Sequence, residues 1–224
     1  MHAMDAAEKH LRRKLRDLRV SHSGTRRALE TAGEGRKRTL RVKLEEVKSA
    51  IKELEGQIEL FVQRQKMLKP IIMKPGEGRT IGVVGDVYRF LATAEDTAGR
   101  YAMWEAIVPP GGGPPPHVHS REEEGFFVLD GEITFHLGDE RFVAGAGTFA
   151  NMPVGSLHCF KNESGKTARM LISVAPAGLE QMFFEVGQPI EQGATSAPKP
   201  TKADIEKLMA AAPRYGIEIR VPKH

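Results

Sequence analysis

The N-terminal third of the chain carries two apolar patterns of helical period. Three leucines at helical spacing predict a helix over residues 5–20, and serines and glycines then favour a loop near 21–37. Beyond that loop, apolar residues alternate in steps of four and three, which is typical of the a and d positions of a coiled coil. The series is Leu40, Leu44, Val47, Ile51, Leu54, Ile58, Phe61, Gln65 and Leu68. It predicts one long helix, in a coiled coil or a helical hairpin.

The apolar stripe of this long helix needs a partner to be buried. The segment 5–20 is a candidate within the chain, but it is shorter than the stripe. We therefore expect the long helix to pair between subunits of a homo-oligomer, with Gln65 at an a position helping to fix the register. Prolines and glycines over 71–79 predict a linker after the helix.

From residue 80 onward, short apolar runs alternate with turn residues. We expect hairpin turns at Asp130-Gly131 and Gly138-Asp139, and closing helices over 179–186 and 202–212. Many short antiparallel strands are typical of a sandwich or a barrel. The strands are predicted over 81–91, 101–108, 125–129, 132–137, 141–143, 148–152, 158–161 and 169–174.

Charge divides the chain in the same way. Residues 1–70 hold 18 Lys and Arg against 10 Asp and Glu, a net charge of +8, whereas the whole chain carries +4. We therefore expect a basic helical extension over 1–70, a linker over 71–79 and a β domain over 80–224. A basic segment before a heptad repeat is also the layout of zipper-type DNA binders, but glycines would interrupt the continuous helix which that layout needs. A solvated, self-associating coil is favoured over nucleic-acid binding.

Composition also bears on location. The single cysteine, Cys159, allows no disulfide within the chain, which fits a reducing compartment. No apolar run approaches the roughly 20 residues of a membrane span. The charged N-terminus lacks the apolar core of a secretory signal. We expect a cytoplasmic protein with no membrane partner.

Candidate metal chemistry lies in two segments of the β domain. In His117-Val118-His119 both imidazoles fall on one face of a strand, because strand side chains repeat every second residue, and the pair can therefore clamp one ion. Glu124 follows five residues later, so a turn or bulge near Ser120-Arg121 must bring it to the same face. His158 must come from a distant strand. Glu122 and Glu123 compete with Glu124 for the same role.

These residues resemble the two sequence motifs of the cupin family. The first motif matches Gly111, five residues, His117-x-His119, four residues, Glu124, six residues and Gly131. The second matches Gly147, five residues, Pro153-x-Gly155, two residues, His158, three residues and Asn162. The resemblance covers about residues 75–220. It implies an all-β cupin fold, a double-stranded β-helix or jelly-roll barrel, preceded here by the α-helical coiled-coil extension.

The resemblance also implies a metal site. It places His117, His119, Glu124 and His158 as ligands of one divalent ion, and its spacing selects Glu124 among the three adjacent glutamates. Three imidazoles and one carboxylate suit iron, manganese, nickel, cobalt, copper or zinc. His136 and Cys159 lie outside this set, and we expect structural roles for both.

Apolar residues around the site predict its pocket. Phe126, Val128, Phe135 and Phe160 share the inward faces of their strands with the ligands. They either line a pocket for a flat organic ligand or form ordinary barrel core.

A closer resemblance concerns activity. The segments 121–131, 175–184 and 214–217 are similar to single-domain quercetin dioxygenase-like cupins. This implies a metal-dependent dioxygenase that cleaves a flavonol-type or related enol with dioxygen, with Glu124 doubling as general base. Two alternatives stay open: another metal-dependent cupin enzyme, such as an isomerase or oxidase, and a regulatory cupin that binds a small molecule without turnover.

Overall fold

The computed structural model describes residues 6–220 and divides the chain into two compact units after Leu68. That division lies near the sequence-predicted boundary at residue 70. Residues 1–5, on which part of the expectation of a missing secretory signal rests, and residues 221–224, the predicted end of the β domain, lie outside the described residues. Among the helices of residues 6–220, none is long and apolar enough to cross a membrane.

The first unit is a pair of helices, α1 (Ala6–Thr31) and α2 (Glu34–Met67). The prediction of a loop over 21–37 is wrong, because only residues 32–33 interrupt the helices. Helix α1 continues because His22, Thr25 and Leu29 extend the buried face of the preceding leucines at the same spacing, with Leu29 as its apolar member. An exposed glycine costs a helix about 1 kcal/mol, which packing along such a stripe exceeds.

The two helices pack against each other within one chain. Leu15 of α1 and Leu54 and Ile58 of α2 form a buried cluster. Around it pack Leu11, Leu18, Ile51 and Val62. The segment expected to be too short is therefore a partner for the stripe, since α1 runs 26 residues. Additional pairing between subunits stays a prediction.

Over its described residues, 69–220, the second unit is built from twelve strands with three short α-helices. Three elements precede the metal-motif segments: β1 (Arg79–Val83), β2 (Asp86–Ala92) and α3 (Ala94–Thr97). The central strands are β3 (Ala102–Val108), β4 (His117–His119), β5 (Glu123–Asp130), β6 (Glu132–Leu137), β7 (Glu140–Gly145), β8 (Phe149–Met152), β9 (His158–Lys161) and β10 (Ala168–Ala175). The closing elements are α4 (Glu180–Val186), β11 (Gln188–Pro189), α5 (Lys202–Ala211), the 3-10 helix Ala212–Tyr215 and β12 (Ile217–Ile219).

The strands form two antiparallel sheets. The large sheet has seven strands in the order β11-β1-β2-β3-β10-β5-β8, and the small sheet has five in the order β12-β4-β9-β6-β7. Their inward faces share one apolar core, in which Trp104, Phe126, Ile133, Met170 and Ile172 are among the largest fully buried side chains. Two antiparallel sheets around one apolar core, with a pair of helices before them in the chain, agree with the expected all-β barrel and N-terminal helical extension.

Two turns differ from the sequence prediction. The strand predicted over 81–91 is a hairpin, because Val84 and Gly85 both take positive φ angles and reverse the chain between β1 and β2. Asp130-Gly131 is not a hairpin turn, since β5 pairs with β8 and β10 while β6 belongs to the small sheet. The chain changes sheets at this point. Gly138-Asp139 joins β6 and β7 as a hairpin, as predicted.

The C-terminal part of the described chain closes the barrel. Helix α5 begins at Lys202 because Thr201 and Asp204 form a reciprocal capping box. Strand β12 then pairs with β4, placing Ile217 opposite His119 and Ile219 opposite His117. The strand that carries the two motif histidines is therefore held between β12 and β9.

The helical unit allows a matched test of its packing. We expect Leu54→Ala to lower the free energy of unfolding of this unit by about 2–3 kcal/mol, because the leucine is buried between the helices. Leu60→Ala makes the same chemical change on the same helix, at a side chain that is 73% exposed, and should change it by less than about 0.5 kcal/mol. Thermal unfolding followed by circular dichroism measures both. Equal effects would contradict a buried stripe at Leu54.

Deletion of residues 1–70 tests the proposed organisation of the whole chain. We expect the remaining chain to stay folded and to bind metal, because the barrel has its own apolar core. Its oligomeric state should fall, or its assembly should weaken on dilution, if α2 also pairs between subunits. Light scattering of both proteins measures this. An identical number of subunits at every concentration would mean that the stripe is buried within its own chain, and loss of folding would contradict the boundary.

Candidate metal centre

Four buried side chains converge where the two sheets meet. His117 and His119 lie on β4, His158 on the neighbouring β9, and Glu124 on β5 of the opposite sheet. One ligand atom from each lies within 4.8 Å of every other. The chain passes from one sheet to the other over residues 120–122, so the odd spacing between His119 and Glu124 is accommodated as the sequence predicts.

The donor atoms point at one another. Glu124 Oε2 lies 3.0 Å from His158 Nε2, 3.2 Å from His119 Nε2 and 4.0 Å from His117 Nε2. Three ring nitrogens and one carboxylate oxygen therefore face a single point. Such a mixed nitrogen and oxygen set suits a divalent transition metal.

Backbone carbonyls fix the orientation of two of the rings. His117 Nδ1 lies 2.9 Å from the carbonyl oxygen of Pro115, and His158 Nδ1 lies 3.0 Å from that of Ser156. A carbonyl only accepts, so each Nδ1 must carry the proton and donate it. The Nε2 lone pair of each neutral ring is then free to face the centre, as in metal-ligating histidines.

His119 provides the test of fit for a metal. Both of its ring nitrogens are buried, and the nearest carboxylate oxygens, Glu124 Oε2 at 3.2 Å from Nε2 and Glu122 Oε2 at 3.6 Å from Nδ1, are not in hydrogen-bond geometry. A buried polar atom without a hydrogen bond lowers the stability of the fold by about 1–3 kcal/mol. Such atoms are therefore rare in folded proteins unless they bind a ligand or have another functional role. A metal ion at the point faced by the four donors would satisfy Nε2. The residues present therefore fit a metal.

The ionisation of the group follows from burial and from the attraction between the rings and the neighbouring carboxylates. Burial lowers the pKa of His117 to about 4. Burial also opposes the charged forms of His119 and Glu124, but the attraction between these adjacent groups outweighs it. Glu122 and Glu124 raise the pKa of His119 to about 9, and His119 and His158 lower that of Glu124 to about 2.

The three adjacent glutamates have different surroundings. Glu124 joins the histidines, as the motif spacing implies. Glu123 is exposed and accepts a hydrogen bond from Asn151 Nδ2 at 2.5 Å. Glu122 is buried, with Oε2 3.6 Å from His119 Nδ1 and Oε1 3.1 Å from the Arg121 guanidinium. Sequence reasoning treated Glu122 only as a competing ligand and missed its place behind His119, where its Oε2 atom lies just beyond hydrogen-bond distance of Nδ1.

Other motif residues shape the backbone around the site. Gly155, at φ 85°, donates its N–H to the carbonyl of His119 at 2.9 Å. Asn162 is fully buried and exchanges backbone hydrogen bonds with Gly111 and Gly112, while its Nδ2 donates to Val108 and Lys166. These contacts hold the glycine-rich segment that leads into β4.

His136 and Cys159 lie outside the group. His136 is half-buried, with Nε2 3.3 Å from Glu163 Oε1. Cys159 is a buried free thiol on β9, between His158 and Phe160. Both positions agree with the structural roles expected for them.

A cavity of about 80 Å³, partly open to solvent, adjoins the group. His117, His119 and Glu124 are part of its wall. Of the predicted pocket residues only Phe160 lines it. Phe126, Val128 and Phe135 are instead buried in the barrel core, with the Phe126 and Phe135 rings 5.1 Å apart. Alternation along a strand correctly predicts that these three side chains point inward. At their positions, however, the interior of the barrel is filled by packed core side chains and not by the cavity.

Most of the cavity wall was not predicted. It comes from β1, β2, β3 and the C-terminal elements α4, α5 and β12. The apolar residues from these elements are Val83, Val84, Leu179, Met182, Phe183, Leu208, Ala212, Ile217 and Ile219. The residues with polar atoms are Asp86, Tyr88 and Trp104. The inward parity of β2 is the sequence signal that marks Asp86 and Tyr88, once the turn at Val84-Gly85 is recognised.

Comparison with known proteins agrees with this architecture. Residues 104–174 match a protein-family model described as the cupin domain. Quercetin 2,3-dioxygenase of Bacillus subtilis is 28% identical over 128 residues, which cover 57% of this chain and 37% of that protein. The chain thus spans well under half the length of this relative.

Solved structures were also matched, two of them with the TM-scores that follow. A predicted oxalate decarboxylase of Thermotoga maritima has 19% identity and a TM-score of 0.45, with 47% of this chain and 99% of that chain covered. An RmlC-like cupin of Shewanella frigidimarina has 17% identity and a TM-score of 0.43, with 51% and 99% covered.

The ligand assignment can be tested by metal content. We expect His158→Ala to lower metal affinity by at least about tenfold. Mutation of a residue that only hydrogen-bonds to a metal ligand already lowers affinity by about tenfold or more, and loss of the ligand itself should have at least that effect. His136→Ala removes a half-buried imidazole outside the group and should keep the wild-type content. Elemental analysis of proteins purified without added metal measures both, and circular dichroism checks that both fold. A His158→Ala protein with full stoichiometric metal would show that the assignment is wrong.

Proposed function

Because the chain carries a cupin domain with a buried group of three histidines and one glutamate, we propose that it is a metal-dependent dioxygenase. In this proposal it resembles quercetin 2,3-dioxygenase and oxidatively cleaves a flavonol-type or related enol with dioxygen. The observation that carries the proposal is the position of Glu124, which belongs both to the converging donors and to the wall of the cavity.

The proposed ligands are the Nε2 atoms of His117, His119 and His158 and a carboxylate oxygen of Glu124. One divalent ion per chain, of iron, manganese, nickel, cobalt, copper or zinc, fits this set. When bound, the ion supplies a Lewis-acid centre with positions open to small molecules. The carbonyls of Pro115 and Ser156 keep the rings of His117 and His158 aimed at it.

Glu124 is placed to move a proton. Its carboxylate is buried and lies on the wall of the cavity, with Oε2 3.0 Å from His158 Nε2 and 3.2 Å from His119 Nε2. A substrate hydroxyl that enters the cavity meets this carboxylate on the wall. Its O–H bond breaks, a carboxyl O–H bond forms, and the electron pair stays on the substrate oxygen as an enolate. An enolate is the electron-rich form of the substrate that oxidation by dioxygen requires.

The remaining wall suits a flat, largely apolar substrate. Aromatic and aliphatic side chains from β1, β3, β9 and the C-terminal helices surround the opening of the site. Such a lining displaces water from both faces of an aromatic ring and strengthens the polar contacts at the metal end. A sugar would find too few hydrogen-bond partners on these walls.

Turnover and metal content together test this proposal. With metal bound, the protein should consume dioxygen when given quercetin and should release carbon monoxide. We expect Glu124→Gln to lose at least about 100-fold in turnover, because an amide cannot accept the proton. The variant should retain a larger fraction of the wild-type metal content than of the wild-type turnover. Glu123→Gln is the control, since that side chain is the exposed neighbour of Glu124. An oxygen electrode and elemental analysis on the same samples measure the two effects.

Different results would favour the alternatives. Conversion of a related enol without carbon monoxide would indicate an isomerase or oxidase built on the same centre. Binding without turnover under every metal of the set would indicate a regulatory cupin. Equal turnover by Glu124→Gln and wild-type protein would contradict the role of Glu124 as base.

A further inference from the structure

The cavity wall contains a carboxyl group that the proposed reaction does not use. Asp86 is the first residue of β2 and is 3% exposed. Its Oδ1 atom forms no hydrogen bond with any group in residues 6–220. It lines the same cavity as His117, His119 and Glu124, from a strand that β3 and β10 separate from β5.

The fold places Asp86 there specifically. The turn at Val84-Gly85 reverses the chain so that Asp86 and Tyr88, two residues apart on β2, share the face that contains the cavity. Gly112 leaves room for the carboxyl group, because a Cβ atom at that position would lie 2.4 Å from Asp86 Oδ1. A bulkier residue at 112 could not coexist with this aspartate.

Two further polar side chains accompany Asp86. Tyr88 and Trp104 line the cavity with their rings 5.9 Å apart. Trp104 Nε1 is buried and finds no acceptor in the described part of the chain. Apart from the metal group, Asp86, Tyr88 and Trp104 are the only cavity-lining residues among residues 6–220 with an oxygen or nitrogen in the side chain. The wall therefore has a second polar region that holds both an unused acceptor and an unused donor.

An arrangement of this kind opposes folding. A buried carboxyl whose Oδ1 atom has no partner loses hydration that the Gly113 amide replaces only in part. Burial raises the pKa of Asp86 to about 8, although the Gly113 amide favours the ionised form. Near neutrality the group therefore keeps its proton and can donate a hydrogen bond as well as accept one. Replacement by an apolar residue would relieve this cost, which indicates a purpose other than stability.

We propose that Asp86, with Tyr88 two residues along the same strand, forms a polar subsite that binds a second hydroxyl group of the ligand whose first hydroxyl reaches Glu124. The inference rests on the proposed function for the class of ligand and narrows that class to aromatic enols with further hydroxyl groups. A hydroxyl both donates and accepts, so it can bond the Asp86 carboxyl whether or not that carboxyl carries its proton.

The chain offers a direct readout of binding. Trp104 is its single tryptophan, so quenching of tryptophan fluorescence reports occupation of this cavity. Two probes differ in the relevant feature: quercetin carries several hydroxyls, and unsubstituted flavonol carries only the enol hydroxyl. Titration of metal-loaded protein with each probe, corrected for absorption by the probe, gives two dissociation constants and their ratio.

Three variants define the expected result. Asp86→Ala should weaken quercetin binding by about tenfold, the worth of one hydrogen bond in a site without water, and should leave flavonol binding nearly unchanged. Asp86→Asn should keep most of the preference for quercetin, because its amide also donates and accepts. Asp139→Asn, at an exposed turn outside the cavity, should match the wild type.

The thermal unfolding temperatures of the Asp86 variants distinguish a role in ligand binding from a role in the stability of the fold. Neither Asp86 variant should lower the thermal unfolding temperature, since the carboxyl oxygen Oδ1 has no partner to lose. A lower unfolding temperature with equal weakening of both probes would make Asp86 a structural residue and overturn the proposal. An unchanged quercetin preference in Asp86→Ala, or no quenching of the wild type by quercetin, would also overturn it.

Oxygen consumption in the same samples keeps the two proposals apart. Binding of quercetin with the expected variant pattern but without oxygen uptake would support the subsite and contradict the dioxygenase. Oxygen uptake with the same quercetin preference in wild type and Asp86→Ala would support the dioxygenase and overturn the subsite.

Discussion

Burial of three imidazoles and one carboxylate in a single apolar interior is the constraint on which the rest of the barrel depends. Such groups persist away from water only when each polar atom has a partner. Here the Nδ1 atoms of His117 and His158 use backbone carbonyls, and the Nε2 atoms are left to Glu124 and to a cation. The two sheets must meet closely enough to bring β4, β9 and β5 to one point. The glycine-rich segment tied by Asn162 and the turn at Gly155 serve this requirement.

The metal group was the part most accessible from sequence. Alternation along a strand puts His117 and His119 on one face without any knowledge of the fold, and motif spacing then selects Glu124 and His158. The cavity was less accessible, because its wall comes from residues far apart in the chain. Leu179, Leu208 and Ile217 carry no signal of their own, and only tertiary packing brings them beside β4. Phe126 and Phe135 point inward, as alternation along their strands predicts, but they lie in the core and not at the cavity. Alternation shows which face a side chain is on, and it does not show how deeply that side chain is buried.

Turn chemistry decided the other differences. Val84 at positive φ is unusual for a β-branched residue, so the pattern over 81–91 resembled one continuous strand. Recognising that reversal would have placed Asp86 on the inward face. In the helical unit, Ser23 and Gly24 indicated a loop by composition, yet Thr25 and Leu29 continue the buried face of α1, and the contact with α2 outweighs local preference.

The pairing of β12 with β4 has a consequence for the order of events during folding. His119 and Ile217 are about 100 residues apart, and contacts of such long range form slowly because the loop between them must be closed first. The pairing of β4 with β9 and of β5 with β10 is also non-local. The four donors therefore do not exist as a set in the unfolded chain, and a metal ion has no preformed site around which the barrel can nucleate. Burial of the apolar core must therefore drive the folding of the chain. A metal ion can bind only after the barrel has closed, so metal binding is a measure of complete folding.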